Sequence, residues 1–227
     1  MIKGTSADPS GGFNSQFNGS ATGWEAHSGI WTVDSNYYST TGLAGTSSST
    51  SYAANFANLD YQVRLRRSGS ATSNANRIMV RGTPSPLDSN NYWYNYYSFQ
   101  YTGNGSYSVW KRVASGSSVA LQSWTSSTAI NQGDAWNTLR VVANGNGFYF
   151  YINGTLVWSG TDTTLGSGRV GVGMYRSADS TGDRLWVDWA TLTTTSILSL
   201  DIPNADAVSL EQQALNDASN ARQEGTE

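Results

Sequence analysis

The segment WNTLRVVANGNGFYFYING, residues 136–154, carries the strongest fold signal in the sequence. Residues 137–143 and 147–152 are two alternating apolar runs, and they are joined by an Asn-Gly pair. Such a pair favours a β-hairpin because both central residues of its turn take positive φ. Phe148 and Phe150 share one face of the second run, since strand side chains alternate with period two. We therefore predict a hairpin with one face in a core.

Further runs that favour strands follow one another from about residue 12 to residue 192. Turn-forming Gly, Asn and Ser residues separate them, and this spacing is typical of a β-sandwich. We predict an all-β fold in which two antiparallel sheets pack as a jelly-roll sandwich. The predicted strands outside the hairpin are 29–33, 61–65, 77–81, 92–101, 106–113, 155–159, 168–174 and 184–192.

The composition excludes several classes of protein. The 9 Trp, 13 Tyr and 6 Phe residues are too many for a disordered chain. A net charge of −3 with scattered basic residues argues against nucleic acid as a partner, since phosphate binding needs clustered Lys and Arg. The chain has no cysteine, so disulfides and thiolate chemistry are excluded. It also has no apolar run long enough for insertion into a membrane.

The sequence divides into three parts. Residues 1–11 form an N-terminal arm, 12–193 form the sandwich, and 194–227 form a C-terminal extension. Within the extension, 196–202 favours a short strand, and small apolar residues over 205–222 recur near the 3.5-residue spacing of a coiled coil. We therefore predict that the extension is a strand followed by a small-residue helix. It would serve self-association or assembly, or, if the sandwich is a free binding module, it would be a loose linker.

Several segments together resemble the concanavalin A-like lectin/glucanase superfamily, in its laminin-G-like and carbohydrate-binding-module branch. They are the hairpin with its Ile-Asn-Gly turn, GWE at 23–25, GRVGVG at 168–173, and VDW at 187–189, which resembles the family's closing strand. The resemblance covers about residues 12–192 and implies the jelly-roll fold. Lectins, glycosidases, adhesins and structural domains share that fold, so function has to be argued from a site.

The most aromatic segment is NNYWYNYYSFQY, residues 90–101. If it is one strand, Trp93 faces the core and three tyrosines share the opposite face. Tyrosines in that arrangement form a platform that stacks sugar rings and binds their hydroxyls. The alternative is that they stabilise the sheet or form a subunit interface. The predicted ligand site, with residues added from neighbouring strands, is Tyr92, Tyr94, Tyr96, Arg81, Trp110 and Lys111.

The sequence lacks the usual catalytic signatures. Glycosidases of this fold use two carboxylates that flank the scissile bond, and no Glu-x-Asp-x-Glu-like pattern occurs. The one glutamate before the extension, Glu25, is expected at a turn. The one histidine, His27, has no nearby Ser or Asp pairing that suggests a triad, and we expect it to be solvated in a loop. We therefore predict that the chain is not an enzyme.

A structural calcium ion is a further prediction, although no cofactor is required. Jelly-roll modules often hold calcium with loop carboxylates and carbonyls, which suit a hard cation. The candidate ligands are Asp179 and Asp183 in an oxygen-rich loop and Asp188 on the closing strand. The alternative is that these are ordinary turn residues, which is the more frequent role of Asp in a Gly/Ser loop.

Two hypotheses for function follow. The first is a non-catalytic carbohydrate-binding or adhesive surface module whose partner is a glycan or polysaccharide. The second is a structural or decoration subunit of a virion or extracellular filament, assembled through residues 194–222. The start at Met1 lacks the apolar stretch of a secretory signal, so we expect a removed signal or release by another route such as lysis. Both hypotheses place the protein outside the cell, on its surface or in a virion.

Overall fold

The computed structural model of this protein describes residues 11–194, which form 15 strands. The strand pairings are antiparallel throughout these residues. The strands are β1 (Phe13–Ser15), β2 (Trp24–Ser28), β3 (Thr32–Asp34), β4 (Tyr37–Thr40), β5 (Thr46–Phe56), β6 (Leu59–Ser68), β7 (Ala75–Thr83), β8 (Asn95–Thr102), β9 (Ser106–Arg112), β10 (Val119–Ser126), β11 (Asn137–Asn144), β12 (Gly147–Ile152), β13 (Thr155–Thr161), β14 (Gly168–Arg176) and β15 (Arg184–Thr194).

The strands assemble into two sheets. An eight-stranded sheet has the order β13-β12-β11-β6-β15-β4-β3, and β1 pairs with its strand β15. A seven-stranded sheet has the order β10-β9-β8-β7-β14-β5-β2. Neighbours such as β6 and β15 come from distant parts of the chain, as the Greek-key connections of a jelly roll require. The predicted two-sheet, all-β sandwich is confirmed.

The hydrophobic core lies between the two sheets. The predicted hairpin is formed by β11 and β12, which pair Leu139 with Ile152 and place the Asn-Gly turn between them. Phe148 and Phe150 are 1% and 0% exposed. The ring of Phe150 packs on Phe99 of the other sheet, with 5.3 Å between ring centroids. The hairpin therefore supplies one wall of the core, as its alternation predicts.

Strand β5 was not predicted from the sequence, because its first half consists only of Ser and Thr and so has no alternation of apolar and polar residues. The alternation of a strand is nevertheless kept. Thr50 faces the core and lies 3.2 Å from the hydroxyl of Tyr38, whereas Ser49 and Ser51 bond to side chains on the opposite face. The strands β1, β2, β4 and β10 were missed as well.

Parts of the sequence-based predictions fall on residues that the structure does not describe. The arm up to residue 10 and the extension from residue 195 onward lie outside the described residues, so the strand over 196–202 and the helix over 205–222 stay predictions. Within residues 11–194 there is no helix with the length and apolarity needed to cross a membrane.

Candidate functional site

The outer face of the seven-stranded sheet carries the candidate site. Its side chains alternate along each strand with residues of the core. On β8, Tyr97 and Phe99 are core residues, whereas Tyr96 and Gln100 lie on the outer face and line a cavity. The same alternation places Arg77 of β7 on the outer face, next to the core residue Ile78.

Trp93 lies at the centre of this face, although its predicted place was in the core. Its predicted burial is confirmed, but it does not share a face with Tyr97 and Phe99, because β8 starts only at Asn95 and the strand alternation does not extend back to Trp93. The indole is 1% exposed, and its Nε1 donates to Ser49 Oγ at 2.8 Å. Gly82 and Gly171 make room for it, since a Cβ on either residue would stand 2.5 Å and 2.4 Å from ring carbons of Trp93.

The position of Trp93 divides the outer face into two pockets. Its ring centroid is 5.7 Å from that of His27 and 6.4 Å from that of Tyr96, and these two residues line different cavities. Leu87 and Tyr92, from the loop between β7 and β8, pack against the buried cluster formed by Met79, Trp93 and Tyr96. This loop therefore covers the middle of the sheet and leaves a cavity on each side.

The first cavity, which we call the aromatic pocket, has a volume of about 390 Å³. Such a volume is within the range of small-molecule sites in proteins. Five of its lining residues are aromatic, and a guanidinium, two amides and two serines supply polar groups. The aromatic residues are Tyr92, Tyr96, Trp110, Trp124 and Tyr175, and the polar ones include Arg77, Asn74 and Gln100.

Tyr92 is held in place by two arginines and a carboxylate. The guanidinium carbons of Arg77 and Arg112 lie 5.2 Å and 5.3 Å from the centroid of its ring. Asp88 accepts a hydrogen bond from the Tyr92 backbone N–H at 2.9 Å and forms an ion pair with Arg112 at 2.5 Å. The ring is therefore fixed before any ligand arrives, which lowers the entropy cost of stacking against it.

The aromatic pocket brings together half of the ligand site predicted from the sequence, namely Tyr92, Tyr96 and Trp110. Tyr94 does not line the cavity, and its backbone bonds to Thr83 and Ser115. The predicted ligand site did not include Arg77, Gln100, Trp124 or Tyr175. Trp124 had no assigned face because β10 was not predicted, and Tyr175 lies beyond the predicted end of its strand.

Two predicted ligand residues point elsewhere, and the structure corrects their roles. Arg81 is 2% exposed and donates hydrogen bonds to three backbone carbonyls, because a bulge after Val80 turns it toward the core. Lys111 pairs with Asp162, with 2.5 Å between Nζ and Oδ2. Lys111 follows Trp110 on β9 and so faces the opposite side of the sheet. The carbonyl partners of Arg81 belong to Ala57, Leu165 and Gly145.

The second cavity, which we call the His27 pocket, has a volume of about 440 Å³. Strands β2 and β14 provide its titratable side chains, and the end of β7 and the start of β14, with the adjoining loop residues, form its rim. His27 Nε2 lies 2.8 Å from Ser51 Oγ, and Arg169 forms an ion pair with Glu25. Residues that line the cavity include Glu25, His27, Asn55, Gly82, Gly168 and Arg169.

The environment of the His27 pocket fixes two charge states. Burial lowers the pKa of His27, and the positive charge of Arg169 lowers it further, which outweighs the opposite effect of Glu25. The imidazole is therefore neutral near neutral pH. The hydrogen bond from Arg169 lowers the pKa of Glu25, so that carboxyl is ionised. The pocket thus holds a neutral base beside a guanidinium whose position a carboxylate fixes.

This geometry corrects two expectations. Glu25 and His27 lie on β2 and not in a turn or loop, and His27 is partly buried. The serine that contacts His27 is Ser51, which is 24 residues away in sequence and adjacent only because β2 pairs with β5. A search for neighbours along the sequence does not reveal such a pair.

The three residues predicted to hold calcium are not brought together. Asp183 pairs with Arg67 and Asp188 pairs with Arg64, while Asp179 is exposed in the loop before β15. Within residues 11–194 the structure contains no cluster of three or more His, Cys, Asp or Glu side chains suited to a metal ion. The arginines provide the positive charge that the prediction assigned to calcium.

A comparison with protein families gives a match over residues 12–179, to the model of the 3-keto-alpha-glucoside-1,2-lyase-like domain. The chain belongs to this lyase-like family. The match spans both pockets of the outer face. It overturns the prediction that the chain is not an enzyme, since that prediction rested on the missing glycosidase carboxylates, and a lyase does not need that pair. A search of curated proteins found no match.

Solved structures similar to this lyase-like domain share its fold. A carbohydrate-binding module, CBM66 from Bacillus subtilis, is 17% identical, with a TM-score of 0.61 over 76% of this chain and 96% of its own. A β-glucanase from Bacillus licheniformis is 12% identical, with a TM-score of 0.61 over 82% and 99%. The potassium-bound carbohydrate recognition domain of Emp46p is 12% identical, with a TM-score of 0.60 over 78% and 90%. They confirm the concanavalin A-like jelly roll.

Proposed function

We propose that this protein is a carbohydrate-active enzyme that eliminates the glycosidic substituent from a 3-keto-glucoside in the His27 pocket. The observation that carries the proposal is the neutral imidazole of His27 beside Arg169 in an open cavity. A general base must be unprotonated at the working pH in order to accept a proton, and the lowered pKa of His27 keeps its imidazole in that form. The family name supplies the substrate class.

The proposed reaction is a 1,2-elimination. The ketone at C3 makes the proton on C2 acidic, and His27 removes that proton. The electron pair of the C2–H bond becomes the C1=C2 double bond, and the C1–O bond breaks. The leaving alkoxide takes a proton from solvent at the rim, where Ser85 and Ser167 are exposed. The products are an alcohol and a sugar whose new double bond is conjugated with its ketone.

Two further residues stabilise the negative charge that develops on the ketone oxygen. Arg169 and Asn55 both line the pocket and carry N–H donors. Donors held in place before the reaction stabilise such charge more than mobile water does. Glu25 is ionised and bonded to Arg169, so we assign it a positioning role and not that of an acid.

The test is a turnover assay with methyl 3-keto-α-glucoside, which follows the ultraviolet absorbance of the conjugated product. We expect His27→Ala to lower kcat/KM by about 10²- to 10⁴-fold, the range for loss of a general base. Exchange of the C2 proton for deuterium in D₂O, observed by NMR, reports the first step alone. Asp179→Ala, in an exposed loop, is the control. An unchanged rate in His27→Ala, or no turnover by the wild type, contradicts the proposal.

The aromatic pocket supports a second function, the binding of a sugar. Its rings offer stacking surfaces, and Gln100 offers an amide for hydroxyl groups. We expect Trp124→Ala to weaken glycan binding roughly tenfold, because the variant loses one of the rings that line the pocket. The core should not be disturbed, because the indole is 44% exposed and lies on an edge strand. Val119→Ala on the same strand is the matched control. Equal affinities of both variants and the wild type would contradict this function.

The structural-subunit hypothesis depends on residues 194–222. Only residue 194, the end of β15, lies within the described residues. Assembly through this segment, and a location outside the cell, therefore remain proposals. Light scattering of the full chain and of a version cut after Thr193 tests the assembly role. A monomer in both cases would contradict it.

A further inference from the structure

Arg77 differs from the other basic side chains of the described region. It is 3% exposed, and its Nε is buried without a hydrogen-bond partner, as is the Nε of Arg66, Arg67, Arg112 and Arg176. Every other Lys or Arg side chain within residues 11–194 bonds to a carboxylate or to a backbone carbonyl. Arg77 has no such partner among these residues. The ring of Tyr92, 5.2 Å from its guanidinium carbon, is its one described cation–π partner.

A buried charge without a counter-ion is unfavourable for folding. The energy of removing a guanidinium from water is recovered when an anion or several acceptors replace the water. One cation–π contact recovers only part of that energy. The nearby guanidinium of Arg112 has its own partner, Asp88. An anionic ligand would therefore balance the charge of Arg77.

The aromatic pocket is built so that an anion can reach Arg77. Arg77 lines the cavity, and no Asp or Glu is among the described residues that line it. Tyr92 and Trp110 provide apolar ring surface on the same walls. A guanidinium is planar and binds a carboxylate or sulfate with two parallel hydrogen bonds.

We propose that the aromatic pocket binds a sugar with an anionic substituent, a carboxylate or a sulfate, and that Arg77 recognises the anionic group. The pocket aromatics stack against the sugar ring. This inference refines the sugar binding proposed for the same pocket and rests on it. It is independent of the lyase reaction in the His27 pocket.

Isothermal titration of the full chain tests the charge directly. Methyl glucuronide and a sulfated glucose are compared with two neutral probes, the methyl ester of methyl glucuronide and methyl glucoside. We expect at least one anionic probe to bind roughly tenfold or more tightly than its neutral counterpart, as a charge-assisted hydrogen-bond pair predicts. The two anionic probes distinguish a carboxylate site from a sulfate site. Equal affinity of charged and neutral sugars overturns the inference and leaves sugar binding intact.

Variants assign the effect to a residue. Arg77→Gln should abolish the preference for the anionic probe, so that the acid and its methyl ester bind with affinities within about twofold of each other. Arg66→Gln, on the other sheet, is the matched control for loss of one positive charge. If Arg77→Gln fails to fold, the affinities of the wild type for methyl glucuronide and for its methyl ester still show whether the pocket prefers an anionic sugar. Binding of no sugar overturns this inference and the sugar-binding role together, while the turnover assay reports separately on the His27 pocket.

Discussion

Arg67 and Asp183 form a buried ion pair, with 2.7 Å between Nη2 and Oδ2 and side chains only 5% and 0% exposed. Arg67 also donates from Nη1 to the carbonyl of Tyr175 at 2.7 Å. The pair therefore anchors the loop before β15 to β6 and to the end of β14. Each charge depends on the other, because neither reaches water.

Removal of one partner leaves the other charge buried and unpaired. We expect Asp183→Ala to lower the free energy of unfolding by about 3–5 kcal/mol. Asp179→Ala, in the exposed part of the same loop, should change it by less than about 0.5 kcal/mol. Urea titration of the two variants and the wild type measures both values. Equal midpoints for Asp183→Ala and Asp179→Ala would contradict the assigned role of the ion pair.

The same pair bears on the predicted calcium ion. Arg67 and Arg64 already neutralise Asp183 and Asp188, and a second cation at these carboxylates would be repelled. We expect neither calcium chloride nor EDTA to change the melting temperature. Calorimetric scans with and without the ion make the comparison. A calcium-dependent rise in melting temperature that is lost in Asp179→Ala would restore the calcium hypothesis.

The lowered pKa of His27 predicts the pH dependence of the proposed reaction. The neutral imidazole is the active form, so kcat/KM should fall as the pH falls through the pKa of His27, which lies below its ordinary value of 6.5. Arg169→Gln removes one of the two causes of the lowering and should move the acid limb to higher pH. A pH–rate profile of both proteins measures the shift. An acid limb at the same pH in both would exclude His27 as the base.

The ionised carboxylate of Asp162 should stabilise the folded state at neutral pH but not at strongly acidic pH. Burial alone would raise its pKa, but hydrogen bonds from Lys111, Thr164 and Tyr97 outweigh burial and hold the pKa well below 3.8. Because the folded-state pKa is depressed, this stabilisation is complete above the unfolded value and is lost as the pH falls through the folded one. We expect Asp162→Asn to lower the free energy of unfolding by about 1–3 kcal/mol at neutral pH. Urea titrations should show this difference shrinking below about pH 4. A difference that does not depend on pH would contradict the prediction.

The close packing around Trp93 can be tested by replacing a neighbouring glycine with alanine. A Cβ on Gly171 would stand 2.4 Å from the indole and 2.4 Å from the carbonyl oxygen of Thr50. We expect Gly171→Ala to cost about 1–3 kcal/mol through overpacking, visible as a lower melting temperature. Gly166→Ala is the control, since no atom lies within 4 Å of the added Cβ. If both variants melt at the same temperature, the close packing described for Trp93 is wrong.

The fold could be predicted from local patterns, because its clearest strands alternate apolar and polar residues and are joined by Asn-Gly turns. The hairpin of β11 and β12 is the clearest case. Strand β5 could not be predicted in this way. Its side chains are held in place by distant partners, such as Tyr38 on β4 and Trp93 in the loop before β8, and those contacts are absent from the local sequence.

The site was predicted less completely than the fold, because its residues are brought together by contacts between distant parts of the chain. Tyr92, Tyr96 and Trp110 were found because aromatic clusters are visible in sequence. His27 and Ser51 were missed because strand pairing, and not sequence proximity, brings them together. Trp93 was placed in the core because a shift of a strand's start by a few residues changes which face each side chain takes.

Trp93 also bears on the size of substrate that the proposed sites accept. Its ring lies near both His27 and Tyr96, which line different cavities, and the loop residues Leu87 and Tyr92 pack against the cluster that contains it. A polysaccharide laid along the sheet would have to pass over this loop to occupy both cavities. We therefore expect the proposed elimination to favour chain termini, or molecules of one or two sugar units, over the interior of a long polymer.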